Sequence, residues 1–323
     1  MDRSEAAGVP RYEDLPIIEK TGAHHAWGVF GEQDELGTLN FITPQAVAAA
    51  TREVTAGEVV NLSLPLDQPD PPLVAGRLSM THGMRVERWG RDDWLENFYL
   101  QASSQWDGPR HIRYREFGYY GGRDEAAVDA GALGIDRAAR RGIIARGVLV
   151  DVAAFLAERG TPIDATTRFP IDHGLIEEVL AWERAALREG DVLLLRTGWL
   201  AWYFGLDRAG REGLAGSLHN QPDGLDCPGL EAGQGTAAWL WDHRVAAAAA
   251  DNPALEVLKV DPVVGFLHRL LIPLLGMPIG EFWDLEGLSE ACGRQGRYSF
   301  LLTSAPLLIP GGVGSPANAY AVL

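Results

Sequence analysis

Three short apolar runs, each next to a helical segment, limit what this chain can become. Gly147-Val-Leu-Val-Asp-Val152 runs into a helix over Ala153–Arg159 that Gly160 ends. Val192-Leu-Leu-Leu-Arg-Thr197 follows the amphipathic stretch Asp172–Glu189, whose Leu175, Ile176, Val179, Trp182 and Ala186 share one side. Both runs are the length of buried strands. Val245–Ala250 is Ala-rich, so period alone does not separate helix from strand; the helix over Glu231–Asp242 before it and the turn pair Asp251-Asn252 after it favour a strand. Helices and strands therefore alternate, with long loops between many strands. A single α/β domain with a curved mixed β-sheet is expected.

The remaining segments fit that frame. Residues 1–25 read as an N-terminal arm, polar over 1–20 and loose or engaged in an oligomer contact, and residues 26–323 as the domain. Ala26–Asn40 mixes Gly, acids and aromatics without a period and reads as a structured loop. Thr43-Pro44 supplies an N-cap and a proline at the first helical position. Gly57–Pro65 alternates as a strand does. Asp67–Leu73 reads as a Pro-rich loop, 76–100 and 203–230 as irregular, Leu100–Asp107 as a strand and Asp129–Arg141 as a helix. Leu285–Gly293 reads as a helix and Tyr298–Ile309 as a long apolar strand. No low-complexity linker or internal repeat divides the chain.

The chain's 323 residues, 46% of them hydrophobic, can bury a large core. A formal net charge of −16 repels phosphate backbones, so nucleic acid is not an expected partner. No run of 18 apolar residues occurs, and no membrane span is expected. Met1-Asp-Arg-Ser-Glu lacks a basic region followed by an apolar one, so no signal peptide is expected. Cys227 and Cys292, without a CxxC pair, suit a reduced, cytoplasmic protein and read as small core residues. There is no HExxH, GxSxG or Walker A pattern. Gly233-Gln-Gly235-Thr-Ala-Ala238 fits GxGxxA but follows no strand, and reads as a helix start.

Chemistry concentrates in Gln101-Ala-Ser-Ser-Gln-Trp-Asp-Gly-Pro-Arg-His111. In an extended strand Gln101, Gln105 and Asp107 project from one face. Gly108-Pro109 then breaks the strand and lets His111 return toward them. A strand end with a polar face and a turn has the same spacing. A second candidate is Gly265–Glu281, almost wholly apolar apart from His268, Arg269 and Glu281. An imidazole and a carboxylate in such a run must find partners; Glu281 capping a helix or pairing with an arginine is the plain alternative. His82, in the Trp-rich region, could line a pocket, as could Trp106 and Tyr119 among the aromatics near the motif. His24, His173, His219 and His243 read as surface or capping residues.

Residues 101–111 resemble the metal-binding signature of the cyclase family, which includes bacterial kynurenine formamidase and isatin hydrolase: His-x-Gly-Thr-His-x-Asp-x-x-x-His. Asp107 and His111 match it, whereas Gln101 and Gln105 stand where the family has two metal-binding histidines, and Ser103-Ser104 replaces Gly-Thr. His268 and Glu281, before Asp284-Leu-Glu-Gly-Leu288, match the family's downstream His and Glu. Trp27-Gly28, Asp34–Asn40, Gly190–Gly198 and Ser304–Asn318 look like segments of its larger members, so the resemblance runs from residue 26 to near the end. It implies an α/β domain around a curved sheet or barrel, in homodimers or homotetramers.

The resemblance also implies chemistry: a metal-activated water attacks an amide, lactam or lactone carbonyl, Asp107, His268 and Glu281 hold the ion, and His111 relays the proton. An amide oxygen is a poorer zinc ligand than imidazole, so Gln101 and Gln105 shift the preference toward manganese, magnesium or calcium, or toward no metal. Without metal the same residues suit a cyclase, isomerase or dehydratase. Gln101 and Gln105 would then bind a carbonyl or enolate oxygen, and His111, oriented by Asp107 or Glu281, would act as acid and base. A binding protein that kept the fold and lost catalysis is a third reading. Each takes a small-molecule ligand.

Overall fold

The computed structural model describes residues 8–219, 221–261, 263 and 265–323. Nine strands form its central sheet: β1 (Val59–Asn61), β2 (Gln105–Asp107), β3 (Ile143–Asp151), β4 (Val192–Arg196), β5 (Ala247–Ala250), β6 (Ile279–Glu281), β7 (Ser299–Ser304), β8 (Gly314–Pro316) and β9 (Ala319–Val322). Their spatial order is β8-β2-β6-β5-β4-β3-β7-β9-β1. The four central strands β3, β4, β5 and β6 run parallel, and the strands on either side are antiparallel. The sheet curls into a half-barrel with helices around it, as the alternating runs imply.

Each central strand is wholly or almost wholly buried, which is why those runs show no alternation. β5 is four alanines because its neighbours come close. Its Ala249 sits opposite Gly280 of β6, where a Cβ would lie 2.5 Å from the Ala249 Cβ and 2.6 Å from the Trp283 indole nitrogen. Asp251, just past β5, accepts from the Thr197 and Gly198 backbone at 2.8 and 2.7 Å and ties the carboxyl ends of β4 and β5 together. In open parallel sheets ligands bind at such ends.

Several expectations are met closely. Thr43 caps the helix Pro44–Ala50 by accepting from Ala46 N. The Gly233 start opens a helix over Gln234–Asp242. Cys227 and Cys292 are buried and unpaired, and burial pushes the Cys292 thiol up to about 12. Other boundaries move. Only residues 105–107 of the expected strand 100–107 are extended. The expected helix over 129–141 is two short ones, Glu125–Asp129 and Asp136–Arg141, separated by a segment with Gly131 and Leu133 at positive φ. Arg184, left-handed at φ 55°, ends the Asp172 helix at Glu183. β7 stops at Ser304, before Ala305-Pro306, because proline cannot donate to a ladder. The stretch expected to be irregular holds a β-hairpin, Thr81–Val86 against Arg91–Glu96.

Of the arm, residues 1–7 lie outside the described residues. The rest lies on the domain: Tyr12 N donates to Asp242 Oδ1 at 2.8 Å, and the Tyr12 ring is buried in the main core. Among the described residues no helix is long and apolar enough to cross a membrane.

Candidate active site

β2 and β6 position the site by register. Glu281 pairs with Gln105, Gly280 with Trp106 and Ile279 with Asp107. Side chains alternate, so Gln105, Asp107 and Glu281 share one face and Trp106 takes the other. That face floors a cleft of ≈ 750 Å³, counting the part open to solvent. Gln101, Gln105, Asp107, His111, His268 and Glu281 all line it. Polar residues from both candidate stretches thus meet in one place.

Trp106 was expected to touch substrate and does not line the cleft. It packs edge-on to Trp283 at 4.8 Å between ring centres and donates to Ser304 Oγ at 2.8 Å. His82 is also absent from the lining: it sits on the exposed hairpin and pairs with Asp93 at 2.8 Å. Tyr119 likewise turns away, donating to Glu125 at 3.1 Å. His219, read as a surface or capping residue, is exposed and lines the cleft.

Gln101 reaches the site from a turn before β2. Its Nε2 donates to Asp107 Oδ1 and lies 2.9 Å from His111 Nδ1. An amide nitrogen can only donate, so Nδ1 is the acceptor and the His111 proton resides on Nε2. His111 Nε2 is 3.6 Å from Asp107 Oδ2. Burial lowers the His111 pKa and so favours the neutral ring, although the Asp107 charge opposes the shift.

His268 opens the helix His268–Leu275 and is fixed from behind by Glu256. Glu256 is completely buried and accepts from Leu267 N at 2.7 Å, His268 N at 3.0 Å and His268 Nδ1 at 2.5 Å. His268 Nε2 then faces Glu281 Oε1 at 3.1 Å and Asp107 Oδ2 at 4.0 Å. Burial alone would lower the His268 pKa; hydrogen bonds and charge from Glu256 and Glu281 outweigh it and lift it to about 10. Burial, reinforced by Asp107, raises Glu281 to about 7. Sequence reading missed Glu256, although it stands alone in the apolar run Ala254-Leu-Glu-Val-Leu258. The argument that singled out Glu281 applies to it equally.

The donor set fits a hard divalent cation. One ligand atom each from Asp107, His268 and Glu281 lies within 4.8 Å of the others. Gln105 Nε2 donates to Glu281 Oε2, while Gln105 Oε1 is buried with no hydrogen-bond partner. That orphan oxygen can serve as a fourth donor. Glu256 on His268 Nδ1 is the outer carboxylate that fixes a ligating imidazole. Three oxygens and one nitrogen suit manganese, magnesium or calcium better than zinc.

Comparison with known proteins identifies the family and the fold. Residues 60–257 match the sequence profile of the Cyclase family. A crystal structure described as a novel cyclase is 34% identical, with a TM-score of 0.80 over 93% of this chain and 99% of its own. Isatin hydrolase A from Labrenzia aggregata, bound to benzyl benzoate, shares the fold at 17% identity and a TM-score of 0.59 over 86% of this chain and 97% of its own. Isatin hydrolase A from Ralstonia solanacearum does so at 18% and 0.58 over 86% and 97%. Among proteins with curated descriptions none matches. The chain belongs to the cyclase family of enzymes.

Proposed function

We propose that this enzyme hydrolyses the C–N or C–O bond of a small cyclic amide, formamide or lactone, assisted by a divalent cation held by Asp107, His268, Glu281 and Gln105. The observation that carries this reading is the convergence of three ligand atoms within 4.8 Å, in a cleft that Gln105, with its unpartnered Oε1, also lines. When bound, such an ion supplies Lewis-acid activation of the carbonyl and of the attacking water. The chain's own residues do the rest. The water oxygen bonds the carbonyl carbon, the C–N or C–O bond breaks, and the proton that water releases passes by way of His111 to the departing atom. Uptake and release are coupled, so the ring begins and ends neutral. Gln101 holds the ring in the tautomer that can do this. The apolar wall, including Phe266 and Phe282, seats the body of the substrate and excludes water from it.

A second reading is favoured by the His268 arrangement. With Glu256 and Glu281 on its two ring nitrogens, the protonated imidazole supplies a fixed positive charge where the cation would sit. The two glutamine amides meanwhile donate to Asp107 and Glu281. Such a site suits metal-independent cyclisation, isomerisation or dehydration, with His111 as acid and base.

One assay separates the two. The protein, supplied with manganese, is incubated with isatin, formanilides and aryl lactones, and ring opening or amine release is followed. The hydrolase reading expects turnover of at least one class, lost with chelator. Turnover indifferent to chelator favours the second reading, and no hydrolysis of any class contradicts the first.

A further inference from the structure

The cleft holds one more charged side chain, which the hydrolytic chemistry leaves unused. Arg77 is half-buried and, among the described residues, is the only lysine or arginine lining the cleft. Its Nη1 donates to the Gln101 backbone carbonyl, and the Tyr99 ring centre lies 6.0 Å from its guanidinium carbon. Among the described residues its Nε and Nη2 have no hydrogen-bond acceptor, and neither is sealed from solvent.

The nearby carboxylates do not need it. Asp107 takes the Gln101 amide and lies 3.6 Å from His111, and Glu281 takes the Gln105 amide and faces His268 at 3.1 Å. A guanidinium with free N–H groups, backed by an aromatic ring and set beside an apolar wall, matches a planar anion on an apolar body. Val74, Ile112, Leu218, Leu258, Phe266 and Phe282 supply that wall. Burial lowers the Arg77 pKa, and the nearby charges of Glu281 and Asp107 oppose that shift. The same charges oppose a dianion such as phosphate and so select a singly charged group.

We propose that the substrate is a small aromatic or alicyclic carboxylate, its anion held by Arg77 while its reacting carbonyl lies over Asp107 and Glu281. This rests on the hydrolase reading for the identity of the reacting group. Arg77 is then the residue that separates charged from neutral substrates of one shape.

The test is a calorimetric titration of the full-length protein with benzoate and with benzamide, which match in shape and differ in charge. Wild type, Arg77→Met and Arg77→Lys are each measured with and without manganese, after thermal melts establish that they fold. Wild type prefers benzoate by roughly 10- to 100-fold, the range for a charge-assisted hydrogen-bonded pair. Arg77→Met loses the preference in both conditions, and Arg77→Lys keeps only part of it, because the ammonium retains charge without the fork. Equal binding of both probes to wild type, no measurable benzoate binding at millimolar concentration, or a preference unchanged in either variant overturns the proposal. If Arg77→Met does not fold, Arg77→Lys decides alone. Turnover takes no part in the titration. A carboxylate preference in a protein that hydrolyses nothing would leave Arg77's role standing and remove the hydrolase reading; hydrolysis without the preference would do the reverse.

Discussion

The amide of Gln101 bridges Asp107 Oδ1 and His111 Nδ1, at 2.9 Å from the latter, and so decides which nitrogen of His111 carries the proton. A glutamine at this position is therefore part of the acid–base apparatus. Gln101→Leu removes the donor and frees the ring to adopt either tautomer. On a substrate turned over in the panel above, kcat should fall roughly 10-fold, the equivalent of one lost hydrogen bond of about 1.4 kcal/mol. Nitrogen-15 NMR should show the His111 ring changing from the Nε2–H form to a mixture. A variant with an unchanged tautomer and unchanged kcat would remove this role.

His111→Ala should lower kcat by about 10²–10⁴-fold, the usual contribution of a positioned acid–base group. The side chain is about one-third exposed and outside the apolar core, so the melting temperature should barely move. Wild-type kcat in this variant would place the proton transfer elsewhere.

Trp106 gives the opposite pattern. It points away from the cleft into the Trp283 side of the sheet. Trp106→Ala should cost about 3–5 kcal/mol of stability, as large-to-small core changes do. Trp106→Phe, which keeps most of the volume, should leave KM unchanged. Urea unfolding and steady-state kinetics read the two effects separately, and a large KM change in the Phe variant would mean that the face assignment is wrong.

Glu183 makes stability depend on pH. It is buried, its Oε1 accepts from Asp151 N at 2.7 Å, and its Oε2 has no partner. Burial, opposed by that hydrogen bond and reinforced by the Asp151 charge, lifts its pKa to about 9. The folded state thus keeps a proton that the unfolded chain releases near the ordinary carboxylate value. Between those two values the folded state binds more protons, so stability falls as pH rises and levels off above about 9. Glu183→Gln cannot ionise. It should flatten this slope and be more stable than wild type at pH near 9 in urea unfolding; an unchanged slope would show that Glu183 is already ionised at neutral pH.

What the sequence made legible follows from burial. β3 and β4 could be read because a strand covered on both faces is a continuous apolar run, and Gln105 and Asp107 share a face because they are two residues apart. That same alternation already excluded Trp106. The hairpin Thr81–Val86/Arg91–Glu96 was illegible because nearly all of its residues on both faces are exposed, so no apolar period marks it. His82 went astray with it. Gln101 reached its expected partners by a different route, from a turn rather than along a strand, since spacing fixes proximity and not path. Arg77 and Glu256 are brought in by loops whose course no local pattern gives.

Metal binding tests the central claim most directly. The purified protein should contain well under one zinc per chain and should take up one manganese when it is supplied in excess, detected by elemental analysis and calorimetric titration. Glu281→Gln and Asp107→Asn should each abolish that uptake. Gln101→His with Gln105→His should gain zinc affinity by at least about 10–100-fold, since two imidazoles exceed what an outer partner alone contributes. Stoichiometric, chelator-resistant zinc in the unmodified protein would contradict the part assigned to the two glutamines. Absence of any manganese uptake would contradict the cation site of Asp107, His268, Glu281 and Gln105.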